Sequence, residues 1–151
     1  MQFDHIDIQI ADELRPNALQ TSNELSEKLG ISASAIRRRK ANLIKQKMLK
    51  IIGMAHPVSL GYVFWANIGL KVVINKGNEV MNNLVPYPCL YMVSKALGRY
   101  DIIIGARFKS LDEMNHFIFG ELPTIEGILS TETHLLSEHK KYFDYLWENE
   151  S

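Results

Sequence analysis

The sequence predicts an α+β chain built in two parts: three amino-terminal helices over residues 1–50, and a strand-helix-strand-strand-helix-strand unit over residues 63–151. A hinge strand over 51–62 is expected to join them. Three observations carry this reading. Apolar residues recur at three- and four-residue spacing through the first fifty positions, period-two alternation begins at Ala66, and Pro57 and Gly61 punctuate the stretch between. With 151 residues, 46% apolar and 23% charged, the chain is long enough for one domain or for two compact units.

Phe3, Ile6, Ile10 and Leu14 form the inner stripe of a first helix that ends before Pro16. Thr21 and Glu24 have the spacing of a capping box, and Leu25 and Leu29 supply the buried side of a second helix that Gly30 terminates. In Gly30-Ile31-Ser32 a glycine takes positive φ, an isoleucine plugs the core, and a serine caps the next helix. The third helix is expected from Ala33 to Lys47, with Ile36 and Leu43 facing inward. Two helices joined by a tight Gly turn, the second rich in Arg, form the helix-turn-helix that lays a recognition helix in the DNA major groove.

Residues 48–61 hold a short apolar run before Pro57 and Gly61, the pattern of a strand-like connector. Ala66, Ile68, Leu70 and Val72 then alternate with Asn67, Gly69 and Lys71, giving a strand with unlike faces. A short helix follows over 78–85, stopped by Pro86 and Pro88. Strands are expected over 90–97 and 102–108, separated by Gly98-Arg99-Tyr100-Asp101. Ser110 and Glu113 start a helix with a stripe of Leu111, Met114, Phe117, Ile118 and Leu122, closed by Pro123. A last strand over 128–136 leads to a terminal helix with Tyr142, Phe143, Leu146 and Trp147. This order is that of the ferredoxin-like split unit. Its two helices cover one face of the sheet, so the other face is expected to meet a second surface, most simply another copy of the chain.

Charge is sorted along the chain although its formal net value is zero. Residues 1–27 carry Asp4, Asp7, Asp12, Glu13, Glu24 and Glu27 against Arg15. Residues 28–50 carry Lys28, Arg37, Arg38, Arg39, Lys40, Lys45, Lys47 and Lys50 with no acid at all. Such a block on a capped helix-turn-helix points to double-stranded DNA. A 100° step per residue spreads the four consecutive cations around the helix, which divides their roles. Ser34, Arg37 and Arg38, early on the outer face, are assigned to base edges or nearby phosphates, and Arg39 and Lys40 to the backbone, Lys40 otherwise snorkelling past the core. Thr21 and Ser32, at the helix starts, complete the expected DNA contacts.

The lone Cys89 excludes an internal disulfide and a Cys-based zinc cluster, and reads as a small buried hydrophobe beside Pro88. His134 and His139 lack helical ligand spacing, so no metal is expected. No phosphate loop, nucleophile elbow or catalytic carboxylate pair stands out, so neither a cofactor nor an enzyme is expected. Without a long apolar span or a basic leader followed by an apolar run, the chain is expected to be cytoplasmic, with no membrane partner.

Four stretches together resemble the Lrp/AsnC, or feast/famine, regulators over nearly the whole length. They are Phe3-Asp4-His5-Ile6-Asp7, then Glu24-Leu25-Ser26-Glu27-Lys28-Leu29-Gly30-Ile31-Ser32-Ala33-Ser34-Ala35-Ile36-Arg37-Arg38-Arg39, then Pro57-Val58-Ser59-Leu60-Gly61, and finally Gly98-Arg99-Tyr100-Asp101. The resemblance implies a winged-type helix-turn-helix head and a ferredoxin-like, or RAM, domain that dimerises, assembles further dimers and holds a small effector, often an amino acid. It also implies paired heads on a pseudo-palindromic operator. The turn Gly98-Arg99-Tyr100-Asp101 reads by itself as a tight hairpin. The resemblance adds effector binding to it, with Asp101 accepting an ammonium group and loop amides a carboxylate. Thr131 and Thr133 either line the same cleft or are ordinary exposed strand threonines.

Three positions depart from the family pattern: Leu19 where Arg is frequent, Lys40 at a usually apolar core position, and Lys47 where Gly usually ends the recognition helix. Sirohaem decarboxylases resemble both halves as well. That reading would require His56, Arg99 and Arg107 to grip the carboxylates of a tetrapyrrole.

Overall fold

The computed structural model describes residues 4–53 and 55–137, in two compact units that divide at 54/55, inside the expected hinge. Phe3 and the expected terminal helix with Tyr142, Phe143, Leu146 and Trp147 lie outside the described residues.

Every regular element among residues 4–53 is a helix: α1 (His5–Leu14), α2 (Ser22–Leu29) and α3 (Ala33–Lys45). Ile10, Leu14, Leu25, Ile36 and Leu43 are buried together, with Ile6, Leu29, Ile31 and Leu49 packed against them. Each such side chain contributes about 1.5–3 kcal/mol when fully removed from water. Gly30 ends α2 at φ 67°, as the turn requires. No wing strand exists among these residues. The apolar stretch expected as a hinge strand carries exposed Met48, Ile51 and Ile52 and forms no ladder, because period alone makes no strand without a partner to accept its amides. Instead, Pro57 opens a single 3-10 turn over Val58–Leu60, which Gly61 closes at φ 87°.

Helix α3 stops two residues before the expected Lys47. Leu43, Ile44 and the left-handed Lys47, at φ 58°, form its ending: the Lys47 amide donates to the Ile44 carbonyl at 3.0 Å and the Met48 amide to the Leu43 carbonyl at 2.9 Å. These two bonds make the Schellman cap that glycine usually completes.

The second unit runs β1 (Phe64–Val72), α4 (Gly77–Leu84), β2 (Leu90–Lys95), β3 (Ile102–Phe108), α5 (Leu111–Asn115) and β4 (Ile128–Leu136). The sheet order is β2-β3-β1-β4, with every neighbouring pair antiparallel. Strand β1 pairs Ile68 with Ile104 on one side and with Thr133 on the other, while Gly69 pairs with Ile103 and Glu132. One face thus carries Ala66, Ile68, Leu70, Ile102, Ile104, Ala106 and Phe108, buried together with Val80, Leu84, Met114, Phe117, Ile118 and Leu122.

The helix expected over 110–122 is broken in three. After α5, residues His116–Glu121 form a π turn and Leu122–Thr124 a 3-10 turn, the latter containing Pro123, which has no amide to continue an α ladder. The buried stripe survives except for Leu111, which is exposed.

On the second sheet face two glycines are covered by rings of the same chain. A Cβ on Gly69 would lie 2.5 Å from the Tyr100 ring, and one on Gly105 would lie 2.5 Å from Tyr91, so two tyrosines lie across backbone that has no side chain. Trp65, on the same face, is buried with its ring centre 5.6 Å from that of Tyr91.

Candidate functional site

Ser34, Arg37, Arg38, Ala41 and Lys45 lie along one side of α3, the neighbours Arg37 and Arg38 being three and four residues after Ser34 and Ala41 four before Lys45, and all five are exposed. Arg37 and Arg38 form no ion pair among the described residues. Their end of the helix is built by caps. The Ser32 hydroxyl accepts the Ala35 amide at 3.3 Å and lies 3.2 Å from the Ser34 hydroxyl. Thr21 caps α2: its hydroxyl accepts the Glu24 amide at 3.2 Å, and the Glu24 carboxylate accepts the Thr21 amide at 2.6 Å. That amide is the main reason the Glu24 carboxyl titrates below its ordinary 4.5. Thr21 and Ser32 are exposed but use their oxygens to start helices, so their side chains set where α2 and α3 begin.

Lys40 is half-buried, as expected for a stem passing the core. Arg39, expected on the phosphate backbone, is turned the other way. Its Nη1 lies 2.8 Å from Asp4 Oδ2 and 2.8 Å from Asp7 Oδ1. Those acids form the capping box of α1, Asp4 Oδ1 accepting the Asp7 amide at 3.0 Å and Asp7 Oδ2 accepting the Asp4 amide at 3.3 Å. Lys28 also leaves the cationic block, for its ammonium donates to Glu13 at 2.8 Å and to Gln20 at 2.6 Å. Gln20, buried and unnoticed in sequence, donates to the carbonyls of Glu13 and Asn17 and accepts from Lys28, and so ties the end of α1 to α2. The eight-cation run therefore has an outward part, led by Arg37 and Arg38, and an inward part used for folding.

In the second unit, Gly98 has φ 139° and is exposed in the hairpin between β2 and β3. Tyr100 lies over Gly69 and shares a hydrogen bond with Glu132, which raises the phenol and lowers the carboxyl. Arg99 meets the same carboxylate at 2.7 Å, with its guanidinium 5.4 Å from the centre of the Tyr100 ring. His134 Nε2 lies 3.3 Å from Glu132 Oε1. Asp101 does not reach into this cluster. Its carboxylate accepts the Val72 amide at 3.0 Å and faces Lys71 Nζ at 3.5 Å, and that amide first, then the ammonium, holds it below its ordinary 3.8. Asp101 thus finishes the end of β1.

Thr131 and Thr133 are exposed, in keeping with the second alternative, that of ordinary strand threonines. They pair with Leu70 and Ile68, so they share the helix-covered side of the sheet, whereas Tyr100 and Glu132 lie over Gly69 on the other side. The residue between them, Glu132, is the one that meets the loop. Sequence offered a signal for it: an acid alternating with two threonines has the opposite strand parity. Of the tetrapyrrole candidates, Arg107 lies over the Tyr62 ring at 4.6 Å with its Nε buried, at the far end of β3 from the loop that holds Arg99. No group of three metal-ligating side chains exists among the described residues. No helix among them is long and apolar enough to cross a membrane.

A helix-turn-helix with an outward cationic strip, followed by a four-stranded α+β domain, defines a DNA-binding transcriptional regulator with a ligand-binding domain. Residues 3–44 match the AsnC-type helix-turn-helix domain, and residues 77–146 match the Lrp/AsnC ligand binding domain. The chain belongs to the Lrp/AsnC family. It is 32% identical to the HTH-type transcriptional regulator FL11 of Pyrococcus furiosus, over 92% of this chain and 93% of that one. A second HTH-type transcriptional regulator of the same organism is 31% identical over 93% of this chain and 95% of its own. The fold is also that of Escherichia coli AsnC, with TM-score 0.84 at 23% identity over 93% and 95% of the two chains. A Neisseria meningitidis transcriptional regulator solved with L-Met gives TM-score 0.85 at 22% identity over 98% of each.

Proposed function

We propose that this regulator acts in the cytoplasm as a dimer, or a higher assembly of dimers, whose paired heads grip a pseudo-palindromic operator. Ser34, Arg37 and Arg38 read base edges and nearby phosphates, with Arg offering guanine its two-pronged match. Lys40 and the amides at the starts of α2 and α3, set by Thr21 and Ser32, serve the phosphate backbone. One observation carries this reading: Arg37 and Arg38 stand exposed near the start of α3, while neighbouring Arg39 is drawn inward by acids.

An amino acid is the proposed effector, bound beside the loop 98–101. The Neisseria regulator solved with L-Met supports this class of ligand. The Arg99–Glu132 pair offers a cation for the ligand's carboxylate and an anion for its ammonium, while Gly98, Tyr100 and Asp101 shape and seat the loop. Thr131 and Thr133 have no part in this arrangement.

The test is selection of duplexes from a random library by the wild-type protein, followed by titration of the tightest one. Arg38→Ala is expected to weaken that duplex by about 1–3 kcal/mol and to flatten base preference at one position in each half-site. Unchanged affinity and preference would remove Arg38 from the reading set.

A further inference from the structure

The structure assigns Arg39 as a positioning residue for DNA binding, and with it makes Asp4 and Asp7 two acids that favour binding to a polyanion. This rests on α3 being the reading helix.

Position along the helix comes first. Arg39 falls three residues after Ile36 and four before Leu43, both buried, so it emerges on the flank of α3 that packs against the bundle and not on the Ser34–Arg37–Arg38 strip. The receptor for it is already built. Each aspartate uses one carboxylate oxygen for the reciprocal cap of α1 and presents the other to the guanidinium: Asp4 Oδ1 and Asp7 Oδ2 take backbone amides, while Asp4 Oδ2 and Asp7 Oδ1 each take Arg39 at 2.8 Å. Two carboxylates whose other oxygens are fixed by their own helix start leave the guanidinium little freedom to swing. The first turn of α1 and the middle of α3 are therefore pinned at one point.

Charge gives the second half of the argument. Two carboxylates and one guanidinium sum to a net negative centre, which repels phosphate. If this cluster faced the DNA it would oppose binding, so its contribution is geometric: it holds α3 at the angle from which Arg37 and Arg38 project. The two readings of Arg39, phosphate contact and helix pin, make opposite predictions for removal of the acids.

Asp4→Asn with Asp7→Asn removes both charges but leaves an acceptor oxygen for each cap, since Asn is as good an N-cap as Asp. We expect this variant to keep its helical circular dichroism, to bind the selected duplex several-fold more weakly, and to keep the wild-type slope of log affinity against log salt. Arg39→Gln should give the same loss and the same slope, and the triple variant no further loss. Tighter binding by the Asp4→Asn, Asp7→Asn variant would overturn the assignment. So would unchanged binding, or a slope lowered by about 0.9 in Arg39→Gln, the mark of one lost phosphate contact. Should the double variant lose helix content, Asp4→Asn alone, which leaves the Asp7 bond in place, is read by the same affinity and slope criteria. A wild-type protein that selects no duplex at all would instead reject the reading helix itself.

Discussion

Lys47 holds a conformation, φ 58°, in which its Cβ crowds the following carbonyl oxygen, a cost of about 1–2 kcal/mol that glycine does not incur. The two hydrogen bonds of the α3 ending hold it there, from the Lys47 and Met48 amides. Lys47→Gly is therefore expected to raise the unfolding free energy of the chain by about 1 kcal/mol in a urea titration, without altering the fold. No gain would mean that the extra flexibility of glycine in the unfolded chain offsets the strain relieved. Of the residues that build the candidate site, Ser32, Ser34, Arg37 and Arg38 were legible from the cap and the helical step alone. Arg39 was assigned to the DNA backbone although its spacing from Ile36 and Leu43 sets it on the inner flank; the 100° step divided the four cations but did not show that Asp4 and Asp7 stand there to receive it. Glu132 was not legible because its role depends on which sheet face meets the loop, and one residue of strand parity separates it from the threonines at each side.

At the scale of the element, the caps decide how the head responds to acid. The Asp4 carboxyl lies below its ordinary 3.8, chiefly through the Asp7 amide and then Arg39, and the Glu24 carboxyl lies below 4.5 through the Thr21 amide. Folded values depressed below unfolded ones give stability that is fully present above the unfolded values and is lost as pH falls through the folded ones. The melting temperature is accordingly expected to be flat near neutrality and to drop as pH falls below about 4.5, with Glu24→Gln removing part of that drop. An equal slope in the variant would show that the α2 cap does not titrate with folding. Helix α1 was legible from its stripe and Pro16, and α2 because cap, stripe and terminator agree. The element over 110–122 was only half legible: its apolar stripe is real, but the same spacing tolerates an α, π or 3-10 winding, and Pro123 selects among them only at the end. The stretch 48–61, expected as a strand-like connector or hinge, forms no ladder among its described residues, since apolar residues alone do not make a strand without a neighbour that receives its amides.

For the whole molecule, the division into two units at 54/55 and the sheet order β2-β3-β1-β4 agree with the two-part chain that the change of period announces. What no single-chain pattern contains is what meets the second sheet face. There Tyr91 and Tyr100 already cover Gly105 and Gly69, so a partner on that face would meet tyrosine rings as well as Glu132 and His134. The proposed dimer on an operator carries its own test. Affinity for the selected duplex should fall linearly in log–log form with added salt, by about 0.9 per phosphate neutralised, and light scattering should return at least twice the chain mass. A flat salt response or a monomer at binding concentrations would exclude paired heads.

The seating of Tyr100 over Gly69 separates two properties that a sensor must keep apart. Where the hairpin sits is decided by a missing methyl group in the middle of β1; in the proposed function, what it grips falls to Arg99 and Glu132 at its rim. On that proposal, exchange of Arg99 is expected to retune ligand preference while Gly69 keeps the hairpin in place. Any residue larger than glycine at position 69 would unseat the hairpin whatever the ligand.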